Sequence, residues 1–142
     1  MFDRCIYFNI NALARAVNRV WEREFGRFGL SAAHAYTLRY VLANPGQTQT
    51  KIAEELGLAK STVSRFVNDL VTKQLLLRSP LPEDRREMGV FPTQRGTELH
   101  AELEETGKQL YLQMRDLIRP SNFDELVAGA RAARSKIEEV DG

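Results

Sequence analysis

The chain has one cysteine, one tryptophan and two histidines among its 142 residues. A single thiol permits no internal disulfide, which excludes the disulfide-stapled folds of oxidising compartments. No apolar run is long enough to cross a bilayer, and Met1-Phe2-Asp3-Arg4 does not begin a secretory leader. A cytoplasmic protein with no membrane partner is therefore expected. Charge of neither sign dominates: Lys and Arg number 20 against 19 Asp and Glu, for a net charge of +1. Any affinity for a polyanion has to come from local clustering, not from the whole molecule. There is no nucleophile motif, no Gly-rich phosphate loop and no paired-carboxylate spacing, so no enzyme is expected. Cys5, His34 and His100 fall on separate expected elements without ligand spacing, so neither a metal nor another cofactor is expected. The length suits one domain with a real core.

What is present is concentrated between Thr50 and Leu70. Ile52, Ala53 and Leu56 share one side of a short helix, and Val63, Phe66, Val67 and Leu70 follow the i, i+3, i+4, i+7 spacing of a second. Gly57 stands between them, where a helix ends and a residue tolerant of positive φ is favoured. Ala53 is small enough for the second helix to approach closely. Helix, short Gly-containing turn, helix is the helix-turn-helix signature.

The second helix leaves Ser61, Arg65, Asn68 and Thr72 on the side opposite its apolar stripe, with Thr62 on the flank. These heads suit base edges: Arg for guanine, Asn for adenine, Ser and Thr for several bases or for phosphate. The face is poor in acid, with Lys60, Arg65 and Lys73 against Asp69 alone. Such a local imbalance points to a polyanionic partner.

Downstream, Val71 to Arg78 reads as the end of that helix and a short strand. Residues 79–93 read as a charged hairpin and a return strand, which together make a wing. The segment Asp84-Arg85-Arg86, followed by Val90, Thr93 and Gly96, closely resembles the wing of the multiple-antibiotic-resistance regulator (MarR) family. Phe28-Gly29-Leu30-Ser31 ahead of an apolar helix, and Asn44-Pro45-Gly46 before the helix-turn-helix, are similar to the same family. The resemblance spans nearly the whole chain and is most specific from Ile52 to Arg86. It implies a homodimeric transcriptional regulator, with Asp84 bracing the wing through an arginine, for which Arg86 is the candidate. It also implies a wing-tip arginine, here Arg85, entering the minor groove, where a narrow groove enhances the negative potential.

Three positions depart from the family pattern. Gln74 stands where a glycine usually ends the recognition helix, so a non-glycine residue is expected in the left-handed region. Ala59 stands where Ser, Thr or Asp would cap that helix. Gly89 and Pro92 interrupt the return strand, which predicts an edge strand or a distorted wing.

The ends read as dimerisation helices. Ile6, Ile10, Leu13, Val17, Val20 and Trp21 form a helical stripe within residues 6–25. Thr93 is placed to cap one long helix bearing Leu99, Leu103, Leu110, Met114, Leu117 and Ile118. Pro120-Ser121-Asn122 breaks it, and Ser121 is placed to cap a last helix with Asp124 and Glu125 in its first turn. The expected fold is mostly α with a small β-wing. Residues 1–30 form an N-terminal dimerisation helix, 31–95 the winged helix-turn-helix and 96–142 the C-terminal dimerisation helices, all within one compact chain.

The expected function is that of a sequence-specific regulator of transcription, a repressor in the first instance, acting on double-stranded DNA as a two-fold homodimer on a pseudo-palindromic operator. Lys60, Ser61, Thr62, Arg65, Asn68, Lys73, Arg78, Arg85 and Arg86 are the expected DNA-binding residues, with Lys60, Lys73 and Arg78 mainly on phosphate. The family resemblance implies a small aromatic effector in a cleft, for which Trp21, His34, Tyr36, Arg39 and Tyr40 are candidates. An arginine beside aromatics suits an aromatic carboxylate. One branch of the family senses organic peroxide through a cysteine near the position of Cys5, whose oxidation to a sulfenic acid would strain the dimer. The alternative reading is a winged helix used as a protein-interaction module without specific DNA binding.

Overall fold

The computed structural model describes all residues, 1–142. The chain forms two compact units, Met1–Thr106 and Gly107–Gly142. In the first, helix α1 (Ile6–Phe25) is followed by a single 3-10 turn (Gly26–Phe28) and then by α2 (Ala32–Ala43), α3 (Gln49–Leu56) and α4 (Lys60–Thr72). Strands β1 (Leu76–Pro80) and β2 (Met88–Pro92) come next, then the short α5 (Gln94–Glu98) and α6 (His100–Ile118). Helix α6 begins in the first unit and runs into the second, which is completed by α7 (Pro120–Asp141).

Helix starts follow local chemistry. Ser31 Oγ accepts from the His34 amide at 3.0 Å to cap α2, and Thr48 Oγ1 accepts from the Lys51 amide at 3.2 Å to cap α3. Cys5 is the N-cap of α1, its Sγ accepting from the Phe8 amide at 3.5 Å. Ala59 caps α4 with no side-chain hydrogen bond. Gly57 ends α3 at φ 66°, in the left-handed region, and the turn it makes lets α4 fold back across α3.

The core of the first unit forms where these helices and the wing converge. Phe25, Leu38, Val41, Ile52, Val63, Val67, Leu70, Leu76, Val90 and Leu103 are essentially fully buried. At about 25 cal/mol per Å² of apolar surface, this burial is the main force that holds α4 against α2 and α3. Thr37, fully buried as well, donates from Oγ1 to the Ala33 carbonyl at 2.9 Å, so its hydroxyl is satisfied.

The wing is an antiparallel pair in register from Leu76↔Pro92 to Pro80↔Met88. A single bridge from Gln47 to Val90 adds a fragment of a third strand, with Gly46 N donating to the Val90 carbonyl at 2.8 Å. Gly89 and Pro92 therefore do not interrupt the return strand. A Cβ at Gly89 would lie 2.5 Å from Leu81 Cδ2 and 3.1 Å from the Gly46 carbonyl. Glycine is required there for close packing, and Pro92 sits at the last pairing position, where the missing N–H matters least.

Two of the terminal expectations are corrected. The helix that Thr93 caps ends at Glu98, and Leu99 separates it from α6. Ser121 does not cap the last helix. The N-cap position falls on Arg119, at φ 83° and without a side-chain cap bond, and Pro120 takes the first helical position, where its missing N–H costs nothing. In the second unit the Tyr111 and Phe123 rings meet edge to face at 5.5 Å, and Arg115 Nη2 pairs with Asp124 Oδ2 at 3.3 Å. No residue of the 22-residue α7 is buried, and Leu126, Val127, Ile137 and Val140 are all exposed.

Candidate nucleic-acid interface

Helix α4 presents the polar side chains that its sequence spacing separates from the core. Lys60, Ser61, Arg65 and Asn68 are exposed and Thr62 is half-buried, while Val63, Val67 and Leu70 are buried. Lys60, Ser61, Thr62 and Lys73 have no side-chain partner within the chain. Arg65 lies with its Cζ 5.6 Å from the centre of the Phe66 ring, a contact that leaves its donors available.

The one acid of the helix, Asp69, faces another way. Its Oδ2 lies 2.9 Å from His34 Nε2, and His34 Nδ1 lies 2.6 Å from Ser31 Oγ. The imidazole also packs edge to face on Phe66, with ring centres 4.9 Å apart. His34, one of the expected effector residues, is thus part of the joint between α2 and α4.

Arg78 is placed differently from the sequence expectation of a free phosphate contact. From β1 its Nε donates to Gln49 Oε1 on α3 at 2.9 Å, and its Nη2 donates to Asn68 Oδ1 on α4 at 2.6 Å and to the Ser64 carbonyl at 3.5 Å. One guanidinium thereby links the wing to both helices of the helix-turn-helix. The pairing joins residues 10 and 29 positions apart, beyond the reach of local periodicity. An open cavity of about 250 Å³ lies alongside, lined by Thr48, Gln49, Lys60, Arg78 and Met88 among others.

At the tip of the wing Arg86 folds back onto Asp84. Its Nε and Nη2 donate to the carboxylate at 3.1 and 3.4 Å, and its backbone N–H donates to Oδ1 at 3.0 Å. The side-chain and then the backbone bond hold the Asp84 carboxyl below its ordinary range. Arg85 beside it is exposed and makes no hydrogen bond or ion pair.

The expected effector residues do not converge on one pocket. Trp21 and Tyr36 line an open groove of about 500 Å³ between α1 and α2, with Val17, Asn18, Glu22 and Ala33, and Trp21 Nε1 donates to the Tyr36 hydroxyl at 3.0 Å. His34 is held by Asp69. Arg39 already grips a carboxylate, donating from Nε and Nη2 to Glu104 at 2.9 and 3.3 Å, with its Cζ 4.8 Å from the Tyr36 ring centre. Tyr40 is half-buried and does not line the groove. Cys5 is half-buried at the start of α1.

A helix-turn-helix followed by a two-stranded wing defines a winged helix-turn-helix protein. The family model described as the MarR family matches residues 28–87, which run from the end of the 3-10 turn to the last residue before β2. The Bacillus subtilis (strain 168) protein named as the uncharacterized HTH-type transcriptional regulator YybA is 25% identical over 99 residues, which are 70% of this chain and 66% of that relative's length. A MarR/EmrR family transcriptional regulator from Acinetobacter sp. ADP1 superposes with a TM-score of 0.82 at 24% identity, covering 98% of this chain and 99% of its own. S. aureus MepR, solved in complex with DNA, superposes at 0.81 with 19% identity, covering 92% and 96%. The MarR family match covers the winged helix-turn-helix, and the superposed regulators share this chain's fold over nearly its whole length. No helix is long and apolar enough to cross a membrane.

Proposed function

We propose that the chain acts as a two-fold homodimer that binds a pseudo-palindromic operator in double-stranded DNA and represses the genes beside it. The observation that carries this reading is the outward row of Ser61, Thr62, Arg65 and Asn68 on α4. The helix's only acid is turned away onto His34, and Arg85 stands unpaired at the wing tip. Hydrogen-bonding heads without an opposing carboxylate are what base edges and phosphates require. In this reading α4 enters the major groove and Arg85 probes the adjacent minor groove. Lys60 and Lys73 meet phosphate, as does the Nη1 edge of Arg78, and Arg86 acts through Asp84 by stiffening the wing.

Dimerisation is supported by the apolar surface that the single chain leaves exposed. Ile6, Ile10 and Leu13 on α1, and Leu126, Val127, Ile137 and Val140 on α7, all remain exposed in the single chain. Exposed apolar side chains in such number mark association surfaces. A two-fold pair would set its recognition helices about 34–36 Å apart, one DNA turn. Light scattering that returned a monomer at micromolar concentration would overturn the dimer.

The reading extends to control by a small aromatic effector in the Trp21–Tyr36 groove, or by oxidation at Cys5. Either signal would have to favour a dimer whose helix spacing does not fit the operator. The test is fluorescence anisotropy of the purified protein on its own upstream intergenic DNA, at two salt concentrations with random duplex as competitor. Tight, salt-sensitive binding that survives competitor is the expected result. Binding no better than to random duplex would leave two readings, an operator elsewhere or a protein partner for the winged helix. Once binding is in hand, aromatic acids and a stoichiometric organic peroxide test the two signals, with Cys5→Ser as the control for oxidation.

A further inference from the structure

Asn68 is the recognition-helix side chain whose hydrogen-bonding direction the chain itself sets. A carboxamide can present either its oxygen or its NH2, and in solution it flips between the two. Here Arg78 Nη2 stands 2.6 Å from Asn68 Oδ1. A guanidinium has five donors and no acceptor, so only the amide oxygen can face it. The guanidinium is itself held by Gln49 Oε1 at 2.9 Å and by the Ser64 carbonyl at 3.5 Å, so it is not free to follow the amide. The oxygen is thereby committed inward and the NH2 is the group left for a partner.

We propose that Arg78 is a positioning residue that makes Asn68 a donor-only reader, so that it selects guanine in place of the adenine an unconstrained asparagine would favour. The proposal rests on the DNA-binding reading above. Adenine takes an asparagine through both amide atoms: its N6–H2 donates to the oxygen while its N7 accepts from the NH2. Here an N6–H would have to approach an oxygen already bound to a full positive charge, where its own partial positive charge is opposed. Guanine offers two acceptors, N7 and O6, to the NH2 and requires nothing of the oxygen. Cytosine offers only a donor and is rejected, and thymine offers the NH2 a single acceptor, O4, against guanine's two.

The experiment is selection of bound duplexes from a randomised pool by the purified full chain, run for the wild type and for Asn68→Ala, Arg78→Met and Arg78→Lys. The base pair read by Asn68 is the one whose preference Asn68→Ala flattens. The expected wild-type result is a G·C pair there, favoured about tenfold over A·T. Replacing its guanine by 7-deazaguanine should cost a similar factor for the wild type and nothing for Asn68→Ala. Arg78→Met should shift the preference at that pair toward A·T, while Arg78→Lys, still a donor only, keeps G·C. Thermal melting establishes that the variants fold, and the wild-type base preference with the 7-deazaguanine comparison against Asn68→Ala carries the test if Arg78→Met does not.

An A·T preference in the wild type would overturn the proposal. So would an unchanged base profile in folded Arg78→Met, which would make Arg78 a contact of the DNA backbone or of the fold alone. Selective binding with no position flattened by Asn68→Ala would overturn it while leaving the DNA-binding reading intact. A wild type that enriches no sequence would remove the DNA-binding reading itself.

Discussion

The hydroxyl of Thr93 donates to the carbonyl of Gln74 across 2.7 Å, while its oxygen accepts from the Gly96 amide at 3.0 Å. Gln74 is held at φ 62°, in the left-handed region where an L side chain costs about 1–2 kcal/mol. The loop that ends α4 is therefore strained and is held by the cap of α5. Gln74→Gly should stabilise the fold by about 0.5–1 kcal/mol, the relief being partly offset by the greater freedom of glycine in the unfolded chain. Thr93→Val, which removes both bonds and keeps the shape, should destabilise by about 1–2 kcal/mol. Urea denaturation with unchanged m-values checks both. A destabilised Gln74→Gly would show that the loop's conformation is set by contacts of the Gln74 side chain.

Gly96 explains why α5 can lie against that same loop. A Cβ there would collide with the Leu75 carbonyl, backbone against side chain, with no flexible group to give way. Gly96→Ala should cost about 2–3 kcal/mol. Gly129, in the middle of α7 with nothing within 4 Å of its would-be Cβ, is the control. Gly129→Ala should stabilise α7 by up to about 1 kcal/mol through helix propensity. Thermal melts of the two variants should move in opposite directions, and equal shifts would refute the close-approach account.

Arg39 and Glu104 give the fold a component that depends on pH. The hydrogen bond from Arg39, and after it the Arg39 and His100 charges, hold the Glu104 carboxyl below its ordinary value of 4.5 against the opposing effect of burial. The folded state thus prefers the ionised carboxylate more than the unfolded chain does. The stability this confers is fully present above about pH 4.5 and is lost as pH falls through the lowered folded value. Glu104 is half exposed, so the pair contributes about 1 kcal/mol or less. The stability difference between the wild type and Glu104→Gln should shrink between about pH 6 and about pH 3. A difference that stays constant with pH would mean that the pair stabilises through shape and not through charge.

The parts of the fold written in short-range pattern were legible from the sequence. The spacing of Val63, Phe66, Val67 and Leu70, Gly57 at the turn, the missing cap at Ala59 and the left-handed Gln74 all follow from rules that act within a few residues. The break at Leu99 and the N-cap position at Arg119 were not legible, because Thr93, Ser121 and Pro120 allow more than one helix boundary. Pairings across the fold were invisible for another reason. His34 meets Asp69 across 35 positions and Arg39 meets Glu104 across 65, and no local rule separates these partners from other charged residues nearby. Gly89 shows the same limit in packing. In the sequence it reads as a strand breaker, and the space that requires it is made by Leu81, Phe91 and Gly46.

The two wing-tip arginines should behave differently although they are neighbours. Arg86 spends its guanidinium on Asp84, while Arg85 spends none of its own. Under the proposed function Arg85→Ala should weaken binding to specific duplex and to random duplex together, and lower the slope of log affinity against log salt by about 1, the value of one phosphate-equivalent contact. Its effect should be largest on operators with an A·T tract beneath the wing, where the narrow minor groove concentrates negative potential. Arg86→Ala should leave the salt slope nearly unchanged, because its charge is already neutralised by Asp84. It should instead return the Asp84 carboxyl toward its ordinary range, since its side-chain bond is the largest cause of the lowered value. Carboxyl titration by NMR, beside anisotropy over a range of salt, separates the two roles. Equal salt slopes for the two variants would mean that the Asp84–Arg86 pair opens on DNA and that both arginines reach the backbone.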